Sequence, residues 1–209
     1  MADVAETIEE SGRRIGRHAW VEARLFEIVG SWAGTVAEPR SRALFARQSA
    51  HHAWHVELWH GLLPALPHLA DNQLVGPDGT DAEMVASLAA FDDRSGTAGT
   101  AETGDVGVAA VTADTVDAKV AAGTGDAGVE PGGPEGSAPA GAADRLVALY
   151  RRVLPARLAA YDDHLAHTSP VADGPTMRVL RLVRTDLAED ILAGEALIEA
   201  LGPPPGPSA

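Results

Sequence analysis

The chain contains no cysteine among its 209 residues. Disulfides, thiolate zinc sites, iron-sulfur clusters and cysteine nucleophiles are therefore excluded, and the composition fits a reducing compartment. Aromatic residues are scarce, at 4%. Cations are outnumbered as well: 16 Lys plus Arg face 30 Asp plus Glu, a formal charge of -14. Such a balance repels phosphate backbones and anionic lipid, so neither nucleic acid nor a membrane is an expected partner. No run approaches the roughly 18 apolar residues of a membrane-spanning helix. The opening MADVAETIEE is acidic, where a secretory signal is basic and then apolar. A cytoplasmic protein is the expectation. Glycine-rich phosphate loops following a strand and a nucleophile-elbow motif are also missing, which removes the usual signals of nucleotide binding and serine hydrolysis.

Between Phe91 and Tyr150 there is no aromatic residue, and from Asp92 to Asp144 no Leu, Ile or Met. A segment this poor in large apolar groups cannot offset a chain entropy of roughly 1 to 2 kcal/mol per residue. Residues 92–141 are accordingly expected to be an acidic, Ala/Gly-rich disordered insertion, and residues 202–209, with their prolines, a disordered tail. The remainder has helical periodicity in four stretches, at about residues 13–33, 38–63, 142–167 and 175–201. Residues 1–91 then hold helices one and two and the start of a crossover, which includes a weak helix at Ala82 to Phe91. Residues 142–201 hold helices three and four. At 1.5 Å per residue the four run roughly 30 to 40 Å, matched lengths suited to side-by-side packing. The reading is all-α: up-down, long crossover, up-down. Pro155 falls inside helix three and predicts a kink, on a side turned away from the apolar stripe.

Turning each residue by about 100° assigns the inner faces. Helix one presents Ile15, Ala19, Leu25, Phe26 and Val29, with Glu22 at the centre and His18 one turn earlier. Helix two presents Leu44, Phe45, Trp59, Leu62 and Leu63, with Gln48, His52 and His55 inside the stripe and His51 at its edge. Glu57 and His60 spell Glu-x-x-His, but their phase aims them at solvent. Helix three carries Arg157, Tyr161 and His164 beside Leu146, Tyr150, Val153, Leu154 and Leu165. Helix four lines up Val179, Leu180, Val183, Leu187, Gly194, Leu197, Ile198 and Leu201, with Asp190 in the stripe and Asp186 on its flank. Buried charges persist only when paired or coordinated, so polar groups at mid-height on all four helices predict a common interior layer.

Ala19-Trp-Val-Glu22, His51-His-Ala-Trp-His55-Val-Glu-Leu-Trp-His60 and Thr168-Ser-Pro-Val-Ala-Asp-Gly-Pro-Thr176 resemble a bacterial branch of the ferritin-like superfamily. The resemblance covers the four helices and leaves the insertion without a counterpart. It implies a left-handed four-helix bundle which, in metal-bearing members, holds two iron or manganese ions on glutamates and Glu-x-x-His pairs. Glu22 takes the first-helix carboxylate position and His55 the second-helix histidine. His52 stands where that motif has glutamate, helix three offers no inward glutamate, and the fourth-helix frame reads Leu187-Ala-Glu-Asp190. A complete two-metal site is therefore not expected.

Two functions compete. In the first, the protein is non-catalytic and a polar network of His18, Gln48, Arg157, Tyr161, His164 and Asp186 seals the interior. There Arg157 replaces a metal by taking Glu22 or Asp190 bidentately, while the histidines bond Tyr161 or Gln48. In the second, Glu22, His52, His55 and Asp190 bind a single Fe, Mn or Zn ion for oxidative chemistry. Trp20 and Trp54 lie off the inner stripes and predict a homodimer through helices one and two.

Overall fold

The structure is a computed structural model that describes residues 7–66, 68, 74–93, 141–169, 171 and 173–202. The predicted insertion and tail lie almost wholly outside the described residues. What is described is all-helical, with no strand, and no helix in it is long and apolar enough to cross a membrane.

Helix α1 spans Ile8–Thr35. It starts five residues before the apolar periodicity does, because Thr7 and Glu10 close a reciprocal cap. Glu10 N donates to Thr7 Oγ1 at 3.2 Å, and Thr7 N to Glu10 Oε2 at 2.8 Å. Helix α2 spans Pro39–His60. The Glu38 carboxylate accepts from Arg40 N and Ser41 N, and Pro39 occupies a first-turn position where its missing N–H costs nothing. The short 36–38 connection folds α2 back along α1. Ser49 Oγ donates to the Phe26 carbonyl at 3.0 Å, and a Cβ on Gly30 would sit 3.0 Å from that same hydroxyl. The two helices approach too closely here to admit a phenyl ring between them. Phe26, expected inside, is 45% exposed for that reason, while Val21 and Trp32 are fully buried.

Helix α3, Gly79–Asp93, is longer than the expected Ala82 to Phe91. Asp78 begins it by accepting from Asp81 N at 2.9 Å, and buried Val85 and Leu88 join the core beside α1. The third rod consists of α4, Ala142–Ala148, a π-helical turn, Leu149–Val153, and α5, Leu154–His167. The kink expected at Pro155 takes the form of that π turn. Proline at 155 cannot bond the carbonyl four residues back and its ring pushes on it. Widening the preceding turn relieves both, with Leu154 N–H donating five residues back to Leu149 O. Helix α6, Gly174–Leu201, runs back along α5 and ends at Gly202, whose φ of 76° is the left-handed region that glycine tolerates. The π turn meets α6 at Gly194, where a Cβ would lie 2.2 Å from the Tyr150 ring. Leu25, Phe45, Trp59, Leu146, Leu154, Leu180 and Leu187, all fully buried, fill the space between the helices.

Candidate metal centre

Four helices deliver polar side chains to one interior level. Glu22 comes from α1, His52 and His55 from successive turns of α2, Tyr161 from α5 and Asp186 from α6. Glu22, His52, His55 and Tyr161 are all fully buried. The potential ligand atoms of Glu22, His52 and His55 lie within 4.8 Å of one another. Glu22 Oε2 is 2.6 Å from His52 Nδ1 and 3.3 Å from His55 Nδ1, while Tyr161 donates its hydroxyl to Glu22 Oε1.

The outer partners fix the rings. If His52 donates from Nδ1 to Glu22, its Nε2 accepts from Gln48 Nε2 at 3.2 Å, and Gln48 Oε1 accepts from Tyr150 at 3.4 Å. His55 meets a carboxylate at each nitrogen, Glu22 at 3.3 Å and Asp186 at 3.2 Å. Burial works against the Glu22 charge, but the neighbouring His52 and His55 rings outweigh it and hold the carboxyl well below its usual range. Burial likewise opposes a charge on His55, and Glu22 and Asp186 overcome it, raising its pKa. Tyr161 is pushed up by burial and by Glu22, so it remains a neutral donor.

Two expected members of the layer go elsewhere. Asp190 does not join the Glu22 trio: one turn beyond Asp186 on α6, it faces the preceding turn of α2. There it accepts from His51 Nδ1 at 2.8 Å and Arg47 Nη2 at 3.4 Å. Arg157 reaches neither Glu22 nor Asp190, because Tyr161 stands between it and Glu22. Its guanidinium packs over the Tyr161 ring at 4.9 Å, donates to His18 Nδ1 at 2.9 Å and to Asp81 Oδ1 at 3.4 Å. His18 therefore donates from Nε2 to His164 Nδ1, 2.9 Å away. Burial, together with Arg157, keeps His18 well below its ordinary value. His164 falls to about 4 through burial and the nearby Arg14. The predicted network thus divides at the Tyr161 ring into a histidine-arginine half with His18, His164 and Arg157, and a carboxylate-histidine half around Glu22. Glu57 and His60 are exposed, as their phase requires.

Sequence reasoning missed Asp81, which lies in a helix of weak amphipathicity, and underrated His51, whose edge position suits a link between α2 and α6. The trio itself suits a borderline divalent ion. Two imidazole nitrogens and one carboxylate oxygen lie within reach of a single ion, and Asp186, Gln48 and Tyr161 hydrogen-bond the other polar atoms of the trio as second-layer partners do in metal sites. Comparison of the chain with known protein families, with curated proteins and with solved structures finds no match.

Proposed function

We propose that this protein is a metal-binding member of the ferritin-like class, a four-helix bundle that holds one Fe, Mn or Zn ion on Glu22, His52 and His55. The observation that carries the reading is the convergence of those three ligand atoms within 4.8 Å, all at fully buried residues. Arg157 was the expected substitute for a metal, and it turns to the opposite side of Tyr161. A two-histidine, one-carboxylate ion with open positions supplies Lewis-acid chemistry and, as iron or manganese, oxidation chemistry. Within the chain, His55 is oriented by Asp186, His52 by Gln48, and Glu22 by Tyr161. Asp190 is left to tie α2 to α6.

The sealed, metal-free network is the competing reading, favoured by one fact: each polar atom of the trio already has a hydrogen-bond partner. Elemental analysis separates the two. Protein made without a histidine tag, in medium supplemented with iron, manganese and zinc, carries about one ion per chain under the metal reading and only traces under the other. A cytoplasmic homodimer through α1 and α2 belongs to the same proposal. Trp54 on α2 and Phe26 on α1 are 43% and 45% exposed, whereas Trp20 is partly buried with Arg24 over its ring at 6.0 Å. A strictly monomeric mass in light scattering at high concentration removes the dimer.

A further inference from the structure

A cleft of about 310 Å3 opens between α1, the first turn of α3 and α5. That places it at the small end of ligand pockets, which run from roughly 300 to 1,000 Å3. His18 and Arg157, 4% and 2% exposed, form its inner wall. Three ion pairs surround it, each joining two different segments: Arg17 with Asp78 at 3.1 Å, Arg14 with Asp163 at 3.5 Å, and Arg157 with Asp81 at 3.4 Å.

The Arg157 pair is the informative one. A guanidinium this deeply buried requires a close, well-bonded counter-charge, yet Asp81 offers a single oxygen at 3.4 Å. Burial pushes the Asp81 carboxyl up, so it holds its charge less firmly than an exposed aspartate. Arg157 Nε, itself closed off from solvent, has no hydrogen-bond partner among the described residues. His18 is a neutral acceptor and supplies no counter-charge. Thr80 and Asp81, in the first turn of the 15-residue α3, line the cleft on the side facing Arg157, and the Asp78 carboxylate already caps that turn.

We propose that this cleft binds the oxyanion head of a small molecule, a carboxylate or a phosphate, held by Arg157 at the inner wall and Arg17 at the mouth. Arginine's planar fork suits either head. The cleft lies across the Tyr161 ring from Glu22, so it is a separate site and needs no metal in the trio.

The test is a calorimetric titration of the full, chelator-stripped chain at low ionic strength, with inorganic phosphate and, separately, with acetate. At least one of the two is expected to bind once per chain with a dissociation constant of about 1 mM or tighter. Phosphate alone indicates a phosphoryl head, and acetate binding a carboxylate head. Arg17→Gln, a change at a partly exposed residue, is expected to weaken that binding about tenfold without altering the helical circular dichroism. Arg157→Lys, which keeps the charge and loses the fork, is expected to weaken it further. Absence of binding by both anions, or unchanged affinity in Arg17→Gln, overturns the proposal. Zinc titrated into Arg17→Gln reports on the Glu22 trio independently, so the failure of one reading does not carry the other.

Discussion

Replacing Glu22 by glutamine keeps the shape of the side chain and removes what the surroundings demand of it. The Glu22 carboxylate accepts from Tyr161 at one oxygen and from His52 and His55 at the other. A glutamine amide offers one oxygen and one NH2 group, so one of the three groups that now donate to the carboxylate loses its acceptor. His55 also loses one of its two counter-charges while Asp186 remains. Breaking a buried charged pair from one side costs about 3–5 kcal/mol, and each hydrogen bond to a charged group accounts for roughly 1.5–3 kcal/mol. The larger range already includes lost bonds, so about 3–5 kcal/mol is the expected destabilisation of the metal-free protein. For a chain of this size that lowers the melting temperature by about 6 to 20 °C. The assay is thermal unfolding followed by far-ultraviolet circular dichroism in the presence of a chelator, wild type against Glu22→Gln. A melting temperature unchanged within a degree would refute the reasoning, since it would mean that Glu22 is solvated and carries no buried network.

Acid should destabilise the fold through His164. Its pKa is about 4 in the fold against an ordinary 6.5, so between those values the unfolded chain binds a proton that the folded one does not. The stabilisation is complete above pH 6.5 and is lost as pH falls toward 4, by roughly 3 kcal/mol at most. His164→Gln, which can still accept from His18, should flatten the fall in melting temperature between about pH 7 and 5, and an unchanged slope would contradict the assignment. Gly194→Ala separates packing from helix propensity. Propensity alone would stabilise the exchange by about 1 kcal/mol. The new methyl, placed 2.2 Å from the Tyr150 ring, should destabilise it instead by about 1–3 kcal/mol, read as a drop in melting temperature.

The long helices were legible because each carries an apolar stripe, and proline or glycine marks the start of α2, the α4–α5 rod and α6. The α4–α5 rod was expected at residues 142–167, and its outer bounds are Ala142 and His167. Inward phase also identified Glu22, His52, His55, Tyr161 and Arg157, since a period of 3.6 residues fixes which way a side chain points whatever the neighbouring helix proves to be. Pairing across helices was not legible in the same way. Whether Arg157 meets Glu22 or Asp81 depends on which of two inward residues a turn apart lies nearer, and Tyr161 decides it. Asp190 and Asp186 likewise share a face, and a translation of α6 along α2 by one turn would exchange their partners. Phe26 illustrates a third limit. Its phase is inward, but the small contacts at Gly30 and Ser49 draw α1 and α2 together and leave no room for the ring.

Calorimetric titration of Zn2+ into the chelator-stripped full chain tests the metal reading most directly. Imidazole nitrogens that now face Glu22 must be unprotonated to coordinate, so binding of one equivalent should release protons, and its heat should vary with the ionisation enthalpy of the buffer. Free ion at a hundredfold excess over its dissociation constant should stabilise the fold by about 2.7 kcal/mol. His52→Ala and His55→Ala should each abolish the stoichiometric binding. No heat above dilution, or one equivalent bound equally well by wild type and both variants, would contradict the assignment of Glu22, His52 and His55 as a metal site.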